Sequence, residues 1–157
     1  MTRGAVEVRP AVPADVPALR AVGVAAWQVA YAGVLPPAEV ANGIAEFFNE
    51  YSLGAAVRSG RMLVAERDGA VVGLLEWDRP APERAVIWKV YVTPDQQRTG
   101  VGRALVERYL ATAGAPEVMV EHDARATDAA AFFEKLGFTA FEVDAGTVRR
   151  LSEARPR

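Results

Sequence analysis

The chain has 157 residues, 51% of them hydrophobic, enough for one substantial core, and residues 1–157 are expected to form a single domain. Eighteen basic and twenty acidic side chains give a net charge of −2 and a pI near 5.5, which argues against nucleic acid or an anionic membrane as partner. The absence of cysteine excludes disulfides, thiolate metal sites and a Cys nucleophile, and the single His122 cannot anchor a His-rich metal site, so no metal is expected.

No window approaches a membrane-spanning run or a signal segment, and a soluble cytoplasmic protein is the expectation. Val6 to Arg9 alternate as a short first strand closed by Pro10. Asp15 is expected to cap a helix that tolerates Pro17 in its first turn and repeats Val16, Leu19, Val22 and Ala26 at helical spacing. Gly33 and Pro36-Pro37 interrupt it, and Ala38 to about Gly60 reads as a second, less regular helical region.

Arg61 to Arg67 and Ala70 to Trp77 read as strands of a hairpin joined by Asp68-Gly69, a dipeptide suited to a two-residue turn. Arg84 to Val92, rich in Val, Ile, Trp and Tyr, predicts another strand ending at Thr93-Pro94. Gly100 to about Ala113 is helical, with Val101, Leu105 and Tyr109 on one stripe, and Gly114 and Pro116 stop it. Val118 to Val120 predict a buried strand, and Thr127 or Asp128 opens a helix that groups Ala129, Phe132, Phe133 and Leu136 before Gly137. Thr139–Val143 and Thr147–Leu151 form a terminal hairpin in this reading, and Arg155-Pro156-Arg157 a frayed end. This order predicts an α/β mixed sheet of six to seven strands covered by helices.

Chemistry concentrates in Val90-Tyr91-Val92-Thr93-Pro94-Asp95-Gln96-Gln97-Arg98-Thr99-Gly100-Val101-Gly102-Arg103. Gly100 and Gly102 fall where a strand has ended and a helix begins, so the amides of Thr99 to Arg103 can face an anion at the positive end of the helix dipole. Arg98 and Arg103 add local positive charge. Leu105 in place of a third glycine excludes a dinucleotide fingerprint, and the lack of Gly-Lys-Ser/Thr excludes a P-loop.

Gln97-Arg98-Thr99-Gly100-Val101-Gly102 resembles the Gln/Arg-x-x-Gly-x-Gly/Ala signature of the GCN5-related N-acetyltransferase (GNAT) family, preceded by that family's Val-x-Val-x-Pro. Arg9-Pro10 with Asp15, Val72-Gly73, and Phe132-Phe133-Glu134-Lys135-Leu136-Gly137-Phe138 resemble further family segments, so the likeness covers nearly the whole chain. It implies helices on both sheet faces and a V-shaped split between strands four and five. The implied cosubstrate is acetyl-coenzyme A, its pantetheine arm on Val90, Tyr91 and Val92, its pyrophosphate on Gln97, Arg98, Thr99, Gly100, Val101, Gly102 and Arg103, and Phe133 beside it. The implied reaction is direct attack on the thioester by a primary amine of a small molecule or peptide.

Phe133 stands where many members carry a Tyr that protonates the leaving thiolate, and Ala126 where many carry Asn; water or Tyr91 is the substitute. The same departures fit a non-catalytic acyl-coenzyme A sensor. Glu76, Glu121 and His122 are candidates for the base, against the plainer reading of each as a polar strand end. Trp27 and Tyr31, one helical turn apart, are either a wall of the acceptor pocket or a core pair. Phe47, Phe48, Tyr51, Trp77 and Trp88 are expected in the core, and Arg149-Arg150 on a solvated strand; a monomer or homodimer is expected.

Overall fold

The computed structural model describes residues 3–153, so the Arg155–Arg157 segment lies outside the described residues. The elements in chain order are β1 (Glu7–Pro10), α1 (Val16–Tyr31), α2 (Pro37–Phe47), α3 (Glu50–Arg58), β2 (Met62–Arg67), β3 (Ala70–Ala81), β4 (Arg84–Val92), α4 (Val101–Thr112), β5 (Glu117–Asp123), α5 (Thr127–Lys135), β6 (Thr139–Asp144) and β7 (Thr147–Glu153). The strands form one mixed sheet in the order β1-β2-β3-β4-β5-β7-β6. β5 runs parallel to β4, and their register, from Arg84 opposite Glu117 to Ile87 opposite Val120, stops while β4 continues to Val92 and β5 to Asp123. That is the interrupted pairing of the fold the sequence resembles.

Two compact units emerge: residues 3–76 with 89–108, and residues 77–88 with 109–153. In the first, Leu19 and Val22 of α1 and Leu53, Ala56 and Val57 of α3 pack with Met62, Val64 and Leu74 of the sheet. α4 takes the other face: a β-carbon on Gly73 would lie 2.9 Å from Val101 Cγ1 and 3.0 Å from Leu105 Cδ1, so the missing side chain sets how closely α4 approaches β3. Asp68 and Gly69 have φ of 53° and 79°, the pair of positive values that a tight two-residue turn requires between right-twisted strands.

Several local expectations change. Asp15 does not cap α1; its carboxylate accepts from Val12 N at 2.8 Å and pairs with Arg9, so the bonds are made on the upstream side. The helical region after Pro36 is two helices, because Phe48 leaves the helix and Asn49 caps α3 by accepting from Ser52 N at 2.8 Å. Phe48 is fully buried, but Tyr51 is 82% exposed, and Phe47 and Trp88 are also exposed. Tyr51 precedes the apolar stripe of α3 by two residues, which turns it away from Leu53.

In the second unit, α5 ends in a reverse turn, Gly137 N bonding Glu134 O at 3.1 Å and Phe138 N bonding Phe133 O at 3.0 Å. β7 lies between β5 and β6, so the Arg149-Arg150 pair is not solvated as expected. Arg150 is buried, and Arg149 bonds Glu121 across the sheet at 2.8 Å. Among the described residues no helix is long and apolar enough to cross a membrane.

Candidate functional site

β4 delivers the chain to its turn in a fixed orientation. Thr93 N donates to Val72 O at 2.9 Å, a short 3-10 turn covers Pro94–Gln96, and Gln96 N returns to Thr93 O at 2.9 Å. Gln97 is extended, Arg98 enters the left-handed region at φ 60°, and Gly100 follows at φ 92°. α4 then starts at Val101, its first helical bond running from Ala104 N to Gly100 O at 3.0 Å. The amides of Val101, Gly102 and Arg103 therefore precede the first intrahelical donor, at the positive end of the dipole. Apart from Gly100 itself and its two chain neighbours, no heavy atom lies within 4 Å of where a β-carbon on Gly100 would sit, so the backbone is open to an incoming group there.

The turn is also well anchored. Val101 and Leu105 are buried against β3, which fixes the axis of α4 and hence the aim of its first amides. Arg98 is exposed, and Arg103 makes an i,i+4 pair with Glu107 at 2.7 Å. Arg98 therefore brings an exposed positive charge to the turn, while that of Arg103 is offset by Glu107.

On the opposite face of β4, Tyr91 packs edge-on to Phe48 with ring centroids 5.2 Å apart and lies 6.2 Å from Trp27. Burial, reinforced by nearby Tyr31, holds its phenol above the usual tyrosine range, so the hydroxyl stays protonated at neutral pH. Trp27 and Tyr31 are 4.3 Å apart, and the Trp27 indole donates to Val40 O at 3.1 Å, tying α1 to α2. The pair is thus part of a ring cluster with Phe47 and Phe48, with Trp27 buried and Tyr31 half-buried.

Glu76 lies beside this cluster. Its Oε1 accepts from Lys89 Nζ at 3.1 Å, with side chains only 14% and 10% exposed, and the same ammonium donates to Phe47 O at 2.7 Å and sits over the Phe48 ring. Lys89, which the sequence reading passed over, precedes Val90 and shares a strand face with Tyr91. Its signal was a lone lysine within the apolar run of residues 85–92.

The remaining candidates belong to the second unit. Glu121 accepts from Arg149 Nε at 2.8 Å. His122 is buried, with Nε2 accepting from Arg150 Nε at 2.9 Å and Nδ1 2.9 Å from Asp123 O, an arrangement that assigns the proton to Nδ1. Its ring stacks at 6.3 Å on Phe133, itself buried against Phe132 and Phe138. Each of the three base candidates thus accepts a bond from a basic side chain. The turn, Val90–Val92, Trp27, Tyr31 and Glu76 lie in one unit, and Glu121, His122 and Phe133 in the other. Among the described residues no cluster of acidic or His side chains could hold a metal ion.

Residues 58–140 match the acetyltransferase (GNAT) domain family. The mycothiol acetyltransferase of Streptomyces griseus is 37% identical over 86 residues, 52% of this chain but only 28% of that protein, so the chain spans little more than a quarter of that relative. A probable N-acetyltransferase of Mycobacterium tuberculosis is 27% identical over 138 residues, covering 85% of this chain and 79% of its own length. Among solved structures, the PaiA N-acetyltransferase from Thermoplasma acidophilum in complex with coenzyme A superposes with a TM-score of 0.88 at 20% identity, over 95% of this chain and 99% of that one, which shows the shared fold.

Proposed function

Because the chain belongs to the GNAT acetyltransferase family, we propose that it transfers the acetyl group of acetyl-coenzyme A to a primary amine of a small molecule or peptide. The observation that carries the cosubstrate half is the turn: two left-handed residues, Arg98 and Gly100, lead into a helix whose first amides are free of intrahelical partners. In this reading the pyrophosphate sits on the amides from Arg98 to Arg103. The pantetheine amides pair with Val90 and Val92, on the part of β4 that lies past the end of its register with β5.

The amine nitrogen attacks the thioester carbon and forms the C–N bond while the carbonyl oxygen becomes an oxyanion held by a β4 amide; collapse re-forms the carbonyl, breaks the C–S bond and expels the thiolate of coenzyme A, which takes up a proton as the nitrogen sheds its own. The attacking nitrogen must first lose its ammonium proton. Glu76 is the base of choice in this reading, since it shares a unit with the turn and flanks the Trp27–Tyr31 wall proposed for the acceptor. His122 is disfavoured: its Nε2 lone pair is already engaged by Arg150 Nε. The proton for the leaving thiolate comes in this reading from water or from Tyr91, whose burial makes its phenol a weaker acid than an ordinary tyrosine.

One observation favours a second reading. Phe133 has no hydroxyl to offer a thiolate and is buried in a ring cluster, as a binding protein without turnover would tolerate. Calorimetric titration with coenzyme A, followed by mass spectrometry of amines incubated with protein and acetyl-coenzyme A, separates the readings. Binding with acetylated product supports the enzyme, binding without product supports the sensor, and no binding refutes both.

A further inference from the structure

We infer that Arg67 is a positioning residue for the anion-binding turn, a buried cation that holds the Gln96–Thr99 segment and turns its amides toward pyrophosphate. The inference rests on the reading of that turn as the coenzyme A site. Arg67 ends β2 and is 9% exposed, and its guanidinium makes four bonds: Nε to Gly4 O at 2.9 Å, Nη1 to Gln96 Oε1 at 2.9 Å and to Thr99 Oγ1 at 2.8 Å, and Nη2 to Thr99 O at 3.4 Å. Three of the four reach the turn.

The acceptors form a closed lap. The Thr99 hydroxyl, accepting from Arg67, donates in turn to Gln96 O at 2.6 Å, so residues 96 and 99 are tied across Arg98, which is held at φ 60°. A non-glycine residue keeps that conformation only where its surroundings over-determine it, and Arg67 supplies the determination. Thr99 O and Gly100 N–H belong to one peptide unit. A guanidinium donating to that oxygen polarises the unit and makes the Gly100 N–H a stronger donor on its far side.

The charge balance points the same way. Among the described residues no carboxylate pairs with Arg67; all four acceptors are neutral oxygens. Arg9, Arg84 and Arg149 each meet a carboxylate. A guanidinium taken out of water without a counter-charge is costly, and an anion bound on the turn supplies one. The role is distinct from that of Arg98 and Arg103, whose side chains are exposed and would approach phosphate from outside, Arg103 by leaving its pair with Glu107.

The test compares coenzyme A with S-acetylpantetheine, which lacks the phosphates, by calorimetry and ligand-observed NMR on wild type, Arg67→Met and Arg67→Lys. Arg67→Met is expected to weaken coenzyme A about tenfold or more while changing S-acetylpantetheine less than about twofold. Arg67→Lys, which keeps the charge but not the fork that spans Gln96 and Thr99, falls between. Unchanged coenzyme A affinity in Arg67→Met overturns the inference, and so does equal weakening of both ligands, the result of a merely structural role. Wild-type protein that fails to bind coenzyme A overturns the site itself. If Arg67→Met does not fold by circular dichroism, the double variant Gln96→Ala/Thr99→Val, which removes both side-chain acceptors, is held to the same two outcomes.

Discussion

Gly100→Ala separates what the turn does for folding from what it does for binding. At φ 92° an L-residue is strained, at a cost of about 1–2 kcal/mol, and no overpacking adds to it because, its chain neighbours apart, a β-carbon there meets no heavy atom within 4 Å. For a chain of this size that strain lowers Tm by about 2–8 °C. The methyl group occupies the space where an anion would contact the backbone. Each charge-assisted bond to phosphate contributes about 1.5–3 kcal/mol, so displacing two weakens coenzyme A binding at least about a hundredfold. Gly60→Ala is the control: Gly60 has φ 72° and equally open surroundings, so the strain is similar while the turn is untouched. Circular dichroism melts and calorimetric titration of both variants give the comparison. Similar Tm losses with a selective loss of affinity in Gly100→Ala are expected, and an unchanged Kd in Gly100→Ala refutes the placement of the pyrophosphate.

Lys89→Met strands the carboxylate of Glu76 in nearly buried surroundings and is expected to cost about 3 kcal/mol in urea denaturation, most of it recovered in the Glu76→Gln/Lys89→Met double variant; additive losses would argue against the coupling. Glu76→Gln alone is expected to lower kcat about a hundredfold in an acetyl-transfer assay if Glu76 is the base, with coenzyme A affinity retained. Arg9 holds the Asp15 carboxyl below its ordinary value of 3.8, a depressed pKa whose stabilisation is complete above 3.8 and lost as pH falls through the folded-state value. The Tm difference between wild type and Asp15→Asn should therefore be constant near neutrality and close below pH 3.8; a difference that widens on acidification contradicts this. Phe133→Tyr is expected to keep the fold at a cost of about 1 kcal/mol, its hydroxyl entering a buried ring cluster, and to raise the rate of thiol release. An unchanged rate would mean that the thiolate needs no acid at position 133, as when water or Tyr91 protonates it.

Features governed by local backbone chemistry were legible in the residues themselves. Asp68-Gly69 dictates a tight hairpin through positive φ, and Gly100 with Gly102 after Thr93-Pro94 dictates a strand, a turn and a helix start. The apolar stripe Val101, Leu105, Tyr109 identified the buried face of α4. What depends on partners distant in sequence was not legible. Arg67 reads as an ordinary hairpin residue until Gln96 and Thr99 are brought to it, and Arg150 as solvated until β7 proves to be an interior strand. Aromatic residues misled in a similar way, because Tyr51 and Trp88 are large aromatic side chains like Phe48 but face outward. The pairing of Glu76 with Lys89 depends on two strands lying side by side, which no spacing along the chain reveals.

Release of free thiol from acetyl-coenzyme A, measured across a panel of small amines and peptides with mass analysis of the products, tests acetyl transfer most directly. The account predicts release that depends on the amine, matches acetylated product one for one, and falls with Gly100→Ala. Coenzyme A binding with no amine-dependent thiol release across the panel would contradict the enzyme and leave the acyl-coenzyme A sensor.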